Sequence, residues 1–229
     1  MSIYAIGDLH FGTKVNKPMD IFGKMWYQHE EKISINWSKM VKAEDTVLLC
    51  GDTSWGMNID EASSDLNIIS ELPGKKIFIK GNHDFWWLTI SKLNKMYNNS
   101  FFLQNSCIEV ENYAICGTRG WICPNDTKFT KHDNKIYQRE INRLELSLKK
   151  AKEKSSGEII VMLHYPPTND KLERSGFIDL IEKYNVKKVI YGHLHGENSY
   201  KCGIKGNHFE TNFNLVSADY LNFKLLKLE

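Results

Sequence analysis

Five short stretches of this chain place metal-ligating side chain types directly after apolar runs. Asp8-Leu9-His10 follows IYAIG, Gly51-Asp52 follows VLLC, Gly81-Asn82-His83-Asp84 follows IFIK, His164 follows IVML, and Gly192-His193-Leu194-His195 follows VIY. Taken singly each has an ordinary reading: Asp8 and Asp52 suit helix caps, and Asn, Asp and Gly form turns by themselves. Their repeated placement at the ends of apolar runs instead describes the arms of one site assembled at several strand tips. Two aspartates, an amide and several imidazoles make a mixed oxygen and nitrogen donor set, which suits Zn, Mn, Fe, Ni or Co far better than Ca. The lack of Cys among them argues against a thiolate zinc site. The set exceeds what one ion needs. With one carboxylate as a bridge it fits two metals about 3.5 to 4 Å apart, the spacing that clamps the attacking and leaving oxygens of a phosphoryl displacement.

The elements that must carry these tips are legible as alternating periods. Short apolar, β-branched runs predict strands at 3–6, 46–50, 76–79, 101–103, 113–116, 159–163 and 186–191, separated by segments of helical period at 29–43, 58–72, 87–97 and 133–154. In the last of these Tyr137, Ile141, Leu144, Leu148 and Ala151 recur at three and four, a core-facing stripe with lysines opposite. From about Tyr200 the chain alternates as short strands with turn residues between them, a β-rich closing layer. The pattern is that of an α/β or mixed layered fold. Neither an internal repeat nor a Pro/Gly/Ser-rich linker breaks it, so a single domain over residues 1–229 is expected.

Composition bounds the function classes. Hydrophobic content of 41% with 25% charged residues belongs to an ordinary globular protein, and a net charge of +2 demands neither a nucleic-acid nor a membrane partner. Cys50, Cys107, Cys116, Cys123 and Cys202 are widely spaced with no CxxC pair, which argues for a reducing compartment and against a disulfide framework. The N-terminal residues run straight into a strand-like segment, and no apolar run approaches the roughly 18 to 20 residues of a membrane span. A cytoplasmic location is expected.

The series DxH, GD, GNHD, H and GHxH, in this order from residue 8 to 195, resembles the signature of the calcineurin-like metallophosphoesterase superfamily, with every position filled. The resemblance implies a fold of two facing mixed β-sheets flanked by helices, with the site at the strand ends. It implies that Asp8, His10 and His195 bind a first metal, that Asn82, His164 and His193 bind a second, and that Asp52 bridges them. It implies that His83 contacts the scissile phosphate or protonates the leaving oxygen, and that Asp84 orients the His83 ring. The activity so implied is hydrolysis of a phosphate monoester or diester by metal-bound hydroxide, with two divalent or trivalent ions drawn from Mn, Zn, Fe or Ni. The substrate would be a small phosphorylated molecule.

Departures from the pattern narrow the resemblance. Thr53-Ser54-Trp55-Gly56 follows Gly51-Asp52 without the arginine of the Ser/Thr protein phosphatases, and GNHD replaces their GNHE. The tyrosine ligand of the purple acid phosphatases is missing too, so the set looks more like the small bacterial phosphodiesterases and phosphohydrolases. A nuclease of the same superfamily, or a scaffold that keeps the fold without catalysis, are the competing readings. The near-neutral charge argues against the first and the intact ligand set against the second. Arg119, in Gly117-Thr118-Arg119-Gly120-Trp121, has two readings, a bidentate clamp on a phosphate or a surface turn arginine. Trp55, Trp86 and Trp87 either stack a nucleobase or pack into the core.

Overall fold

The structure, a computed structural model, describes residues 1–125, 127–155 and 157–229. In chain order the elements are β1 (Ile3–Ile6), α1 (His29–Met40), β2 (Thr46–Leu49), α2 (Ile59–Glu71), β3 (Lys75–Phe78), α3 (Ile90–Leu93), β4 (Ser100–Phe102), β5 (Cys107–Val110), β6 (Tyr113–Thr118), α4 (Lys131–Lys154), β7 (Glu158–Leu163), α5 (Gly176–Lys183), β8 (Lys188–Tyr191), α6 (Gly196–Tyr200), β9 (Gly206–His208), β10 (Thr211–Leu215) and β11 (Leu226–Lys227). They form two compact units, one from Met1–Phe102 with Val216–Glu229 and one from Leu103–Leu215. Each unit is built on a mixed sheet with helices against it, the α/β layering expected from the alternating periods.

In the first unit the strand order is β11-β1-β2-β3-β4. β1 to β4 are parallel, and β11 closes one edge antiparallel. All four residues of β1 and of β2 are buried, which is why both read as unbroken apolar or β-branched runs and not as alternation. α1 contributes Ile33 and Trp37 to the core and α2 contributes Ala62, Leu66 and Ile69, the three-and-four spacing that buries one helical face. Lys76 in β3 is fully buried, and its Nζ donates to the carbonyls of Ser70 and Leu72 where α2 ends. A cation on the open carbonyls of a helix C-terminus is favourable, while burial pulls this amine down to about 8.

In the second unit the order is β5-β6-β7-β8-β10-β9, parallel from β6 through β10 with antiparallel edges. α4 opens with a reciprocal capping box between Thr130 and Asp133. It buries Tyr137, Leu144, Leu148 and Ala151 of the expected stripe, and Glu140 with them.

Some expectations fail for local reasons. The helix expected over 87–97 shrinks to the single turn of α3. Trp86 buries ahead of it and donates Nε1–H to Asp84, while the Asn94 side chain leaves the helix to accept the amide of Phe102. α1 stops at Met40 because Val41 turns extended and buries. β5 and α5 were not expected. The eight residues of α5 are too few to show a period, although Ser175 caps them by accepting the amides of Phe177 and Ile178. Among the described residues no helix is long and apolar enough to cross a membrane.

Candidate metal centre

At the tips of β1 and β2 the two chains continue side by side. The amide of Asp8 donates to Gly51 O (2.9 Å), that of His10 to Asp52 O (3.0 Å), and that of Trp55 to Phe11 O (2.8 Å). Along this ladder Asp8, His10 and Asp52 all hold left-handed backbone, with φ of 56°, 50° and 51°. Side chains other than glycine rarely adopt that region, and each such residue costs on the order of 1 to 3 kcal/mol that the surroundings must offset. The result is that three donor-bearing side chains leave two adjacent loops in directions an extended backbone would not give. His10 Nε2 lies 4.0 Å from Asp52 Oδ2.

The tip of β3 is bound to the same ladder through two carboxylates. Asp52 Oδ1 accepts the amide of His83 at 2.7 Å. Asp84, fully buried, accepts the amides of Asp52 (2.9 Å), Gly81 (2.7 Å) and Thr53 (2.9 Å), together with the Trp86 indole N–H at 3.0 Å. Burial pushes the Asp84 carboxyl up to about 7, and the neighbouring Asp52 charge adds to this, against the opposing pull of the amide donors. The Asp84 oxygens are thus engaged by backbone amides and an indole, which hold the β2 and β3 tips together, and among the described residues no hydrogen bond joins them to the His83 ring. Gly81 must be glycine here, since a Cβ would stand 2.1 Å from Asp52 Oδ1 and 2.2 Å from Asp52 N.

Asn82 and His83 are both half-buried. The His83 ring meets Trp55 at 4.7 Å and His10 at 5.9 Å between centroids, and Trp55 stacks on His10 at 4.6 Å. Of the three tryptophans singled out in the sequence, Trp86 is core, Trp87 packs partly against it, and Trp55 lies among the candidate ligands.

The second unit presents its own group. His164, fully buried at the end of β7, donates its amide to Arg119 O (3.0 Å) and accepts the amide of Gly192 (3.1 Å), which ties the tips of β6, β7 and β8 together. The rings of His164 and His193 lie 5.0 Å apart, and Tyr165 packs 4.0 Å from His193. His193 also holds left-handed backbone, at φ 71°. His195, half-buried, stands immediately before α6.

Arg119 is not a surface turn residue. Its side chain is only 18% exposed, its guanidinium lies over Trp121 at 4.6 Å, and its Nη2 is 3.8 Å from Glu140. Glu140 is the residue that the sequence reading passed over. It also receives Arg143 at 2.7 Å, Arg139 at 3.5 Å and the hydroxyl of Thr118, so three of the four arginines in the chain gather on one buried carboxylate. A signal for it existed. Glu140 falls on the apolar stripe of α4, between Tyr137 and Leu144, where a carboxylate needs a buried partner. Burial pulls the Arg119 guanidinium down, opposed by the Glu140 charge.

Comparison with known proteins gives the family and the fold. The calcineurin-like phosphoesterase family model matches residues 1–197. A curated relative, the gene 66 protein of Mycobacterium phage L5, is 34% identical over 77 residues, 34% of this chain and 37% of that protein, so the alignment spans little more than a third of the relative's length. Among solved structures, the phosphopantetheinyl hydrolase PptH from Mycobacterium tuberculosis is similar with a TM-score of 0.61 at 13% identity, covering 99% of this chain and 95% of that one. Protein AQ665 of unknown function from Aquifex aeolicus gives a TM-score of 0.52 at 20% identity, with 99% and 95% covered. TT1561 of Thermus thermophilus gives 0.55 at 15% identity, with 85% and 82% covered. At these identities the structural likenesses speak for the fold.

Proposed function

This chain belongs to the calcineurin-like phosphoesterase family and is a metal-dependent phosphohydrolase, and from that premise we propose that it hydrolyses a small phosphate monoester or diester at a dinuclear centre. Asp8, His10 and His195 would hold one ion, Asn82, His164 and His193 the other, with Asp52 shared. The two units would act as one catalytic domain, in keeping with a family match that runs through both. The observation that carries this reading is the left-handed backbone at Asp8, His10, Asp52 and His193, four of the seven proposed ligands, since strain of this kind concentrates at functional sites. The donors are carboxylate, amide and imidazole, which fit Mn, Zn, Fe or Ni. Bound there, the ions would acidify water and neutralise charge on the phosphoryl group.

The chain's own residues supply the remainder. Water adds at phosphorus as the bond to the leaving alcohol breaks, and His83 gives a proton to the departing oxygen. Its ring suits that task, because among the described residues neither ring nitrogen is hydrogen-bonded, whereas its amide is fixed on Asp52. Asp84 keeps the loop shape and takes no part in proton transfer. The test is reconstitution: metal-stripped protein should regain turnover of p-nitrophenyl phosphate or its bis ester with one of these metals, and elemental analysis should then read two ions per chain. A fully active protein that never holds more than one ion would sink the dinuclear reading.

Arg119 is proposed as a clamp on the substrate phosphate. The Trp121 ring and Glu140 hold the guanidinium in place, and its Nε is buried without a hydrogen-bond partner among the described residues. Arg119→Ala should lower kcat/KM by roughly 10 to 200-fold, the equivalent of about 1.5 to 3 kcal/mol for a lost hydrogen bond to a charged group. Arg119→Lys should already be impaired, because an ammonium cannot fork onto two oxygens. Metal content should stay as in the parent. Full activity of Arg119→Ala on every ester would leave this arginine a purely structural partner of Glu140.

A further inference from the structure

With Asp84 engaged elsewhere, the His83 ring has no hydrogen bond among the described residues to fix its rotation, and it packs against the rings of Trp55 and His10. Trp55 is itself held on several sides. Its amide donates to Phe11 O (2.8 Å), its indole N–H points at Met19 Sδ (3.2 Å), its ring stacks on His10 with 19° between planes, and Lys17 Nζ stands 4.9 Å from the ring centre. The indole is thus a fixed surface against which an otherwise free imidazole rests, tilted by 54°. We propose that Trp55 is a positioning residue for His83, setting the angle at which this imidazole meets the leaving oxygen of the substrate. The proposal rests on the reading of His83 as the proton donor. It replaces a carboxylate hydrogen bond by aromatic packing as the means of holding a catalytic histidine, and it accounts for a large aromatic side chain directly after the β2 tip. A nucleobase platform fits less well, because the indole already carries His10 and a lysine ammonium.

The test uses the metal-loaded full chain and two esters, an alkyl phosphate whose alkoxide needs a proton to leave and p-nitrophenyl phosphate whose phenolate does not. Trp55→Ala should lower kcat on the alkyl ester by about 10 to 100-fold, the scale of a misplaced catalytic group, and should lower it at least several-fold less on the nitrophenyl ester. Metal content should be unchanged. Trp55→Phe, which keeps a ring but loses the Met19 contact, should show a smaller form of the same asymmetry and covers the case in which the alanine variant does not fold. In a His83→Ala background, Trp55→Ala should add little further loss. If His83→Ala shows the leaving-group asymmetry while both Trp55 variants slow the two esters equally, Trp55 is structural only and the inference fails while the proton-donor reading stands. If His83→Ala shows no asymmetry, the proton-donor reading falls and the inference with it. A loss confined to KM for nucleotide esters would instead make Trp55 a base platform and overturn the proposal.

Discussion

Asp52→Asn should yield a folded protein that holds little metal and has no measurable turnover. The backbone at position 52 is left-handed, and Asn is among the few residues that tolerate this region, so the chain path should survive. An amide oxygen can still accept the His83 amide as Oδ1 does now. What the substitution removes is the anion, leaving one neutral donor where the proposed site needs a charge shared between two cations. It also relieves a buried like-charge contact, because the Asp52 charge is one of the factors that push the Asp84 carboxyl up. The metal-stripped variant should therefore melt no lower than metal-stripped parent. Elemental analysis, turnover and a melting curve give all three readings, and a variant that kept both ions with full activity would remove Asp52 from its proposed position.

His83→Ala should behave in the opposite way, keeping its metals and losing the reaction. Among the described residues the hydrogen bonds of His83 are made by its backbone, the amide donating to Asp52 and the carbonyl accepting from the Phe85 amide, and alanine retains both. The ring is half-buried and packs on Trp55 and His10, so its removal should cost modest stability. Turnover of an ester with a poor leaving group should fall by about 10² to 10⁴, the contribution of a positioned general acid. Loss of metal in this variant would mean that His83 is a ligand and that the division of roles within GNHD is wrong.

The contrast between these variants shows where sequence reading stops. Asp52 and His83 were both legible as residues with chemistry, since each follows an apolar run that reads as a strand and the same placement recurs at five tips. The strands themselves were legible for the same reason: IYAI and TVLL sit in a parallel sheet with every residue buried, so continuous apolar or β-branched runs mark them, while β3 was read from its apolar end at 76–79. The long α4 was legible because 24 residues display their period several times over, whereas the eight of α5 do not. β5 was lost because Cys107–Val110 alternates too briefly to stand apart from a turn.

What the sequence by itself determined is the inventory: which residue types stand at which strand tips, in what order, and hence the family. The tertiary structure decided the use of that inventory. Asp84 lies beside His83 in the chain, yet donors brought from residues 52, 53, 54, 81 and 86 claim its carboxylate, and that outcome depends on where two loops meet. Arg119, Arg139 and Arg143 converge on Glu140 because β6 and α4 pack together, although nothing in the local sequence of Arg119 names its partner. Asp and His tolerate left-handed backbone better than most residues, but its use at Asp8, His10 and Asp52 is set by the paired loops beyond β1 and β2. Residue type and spacing are local properties and survive in a one-dimensional reading, while hydrogen-bond partners, backbone strain and ring contacts are made between segments dozens of residues apart, and only the folded chain brings those segments together.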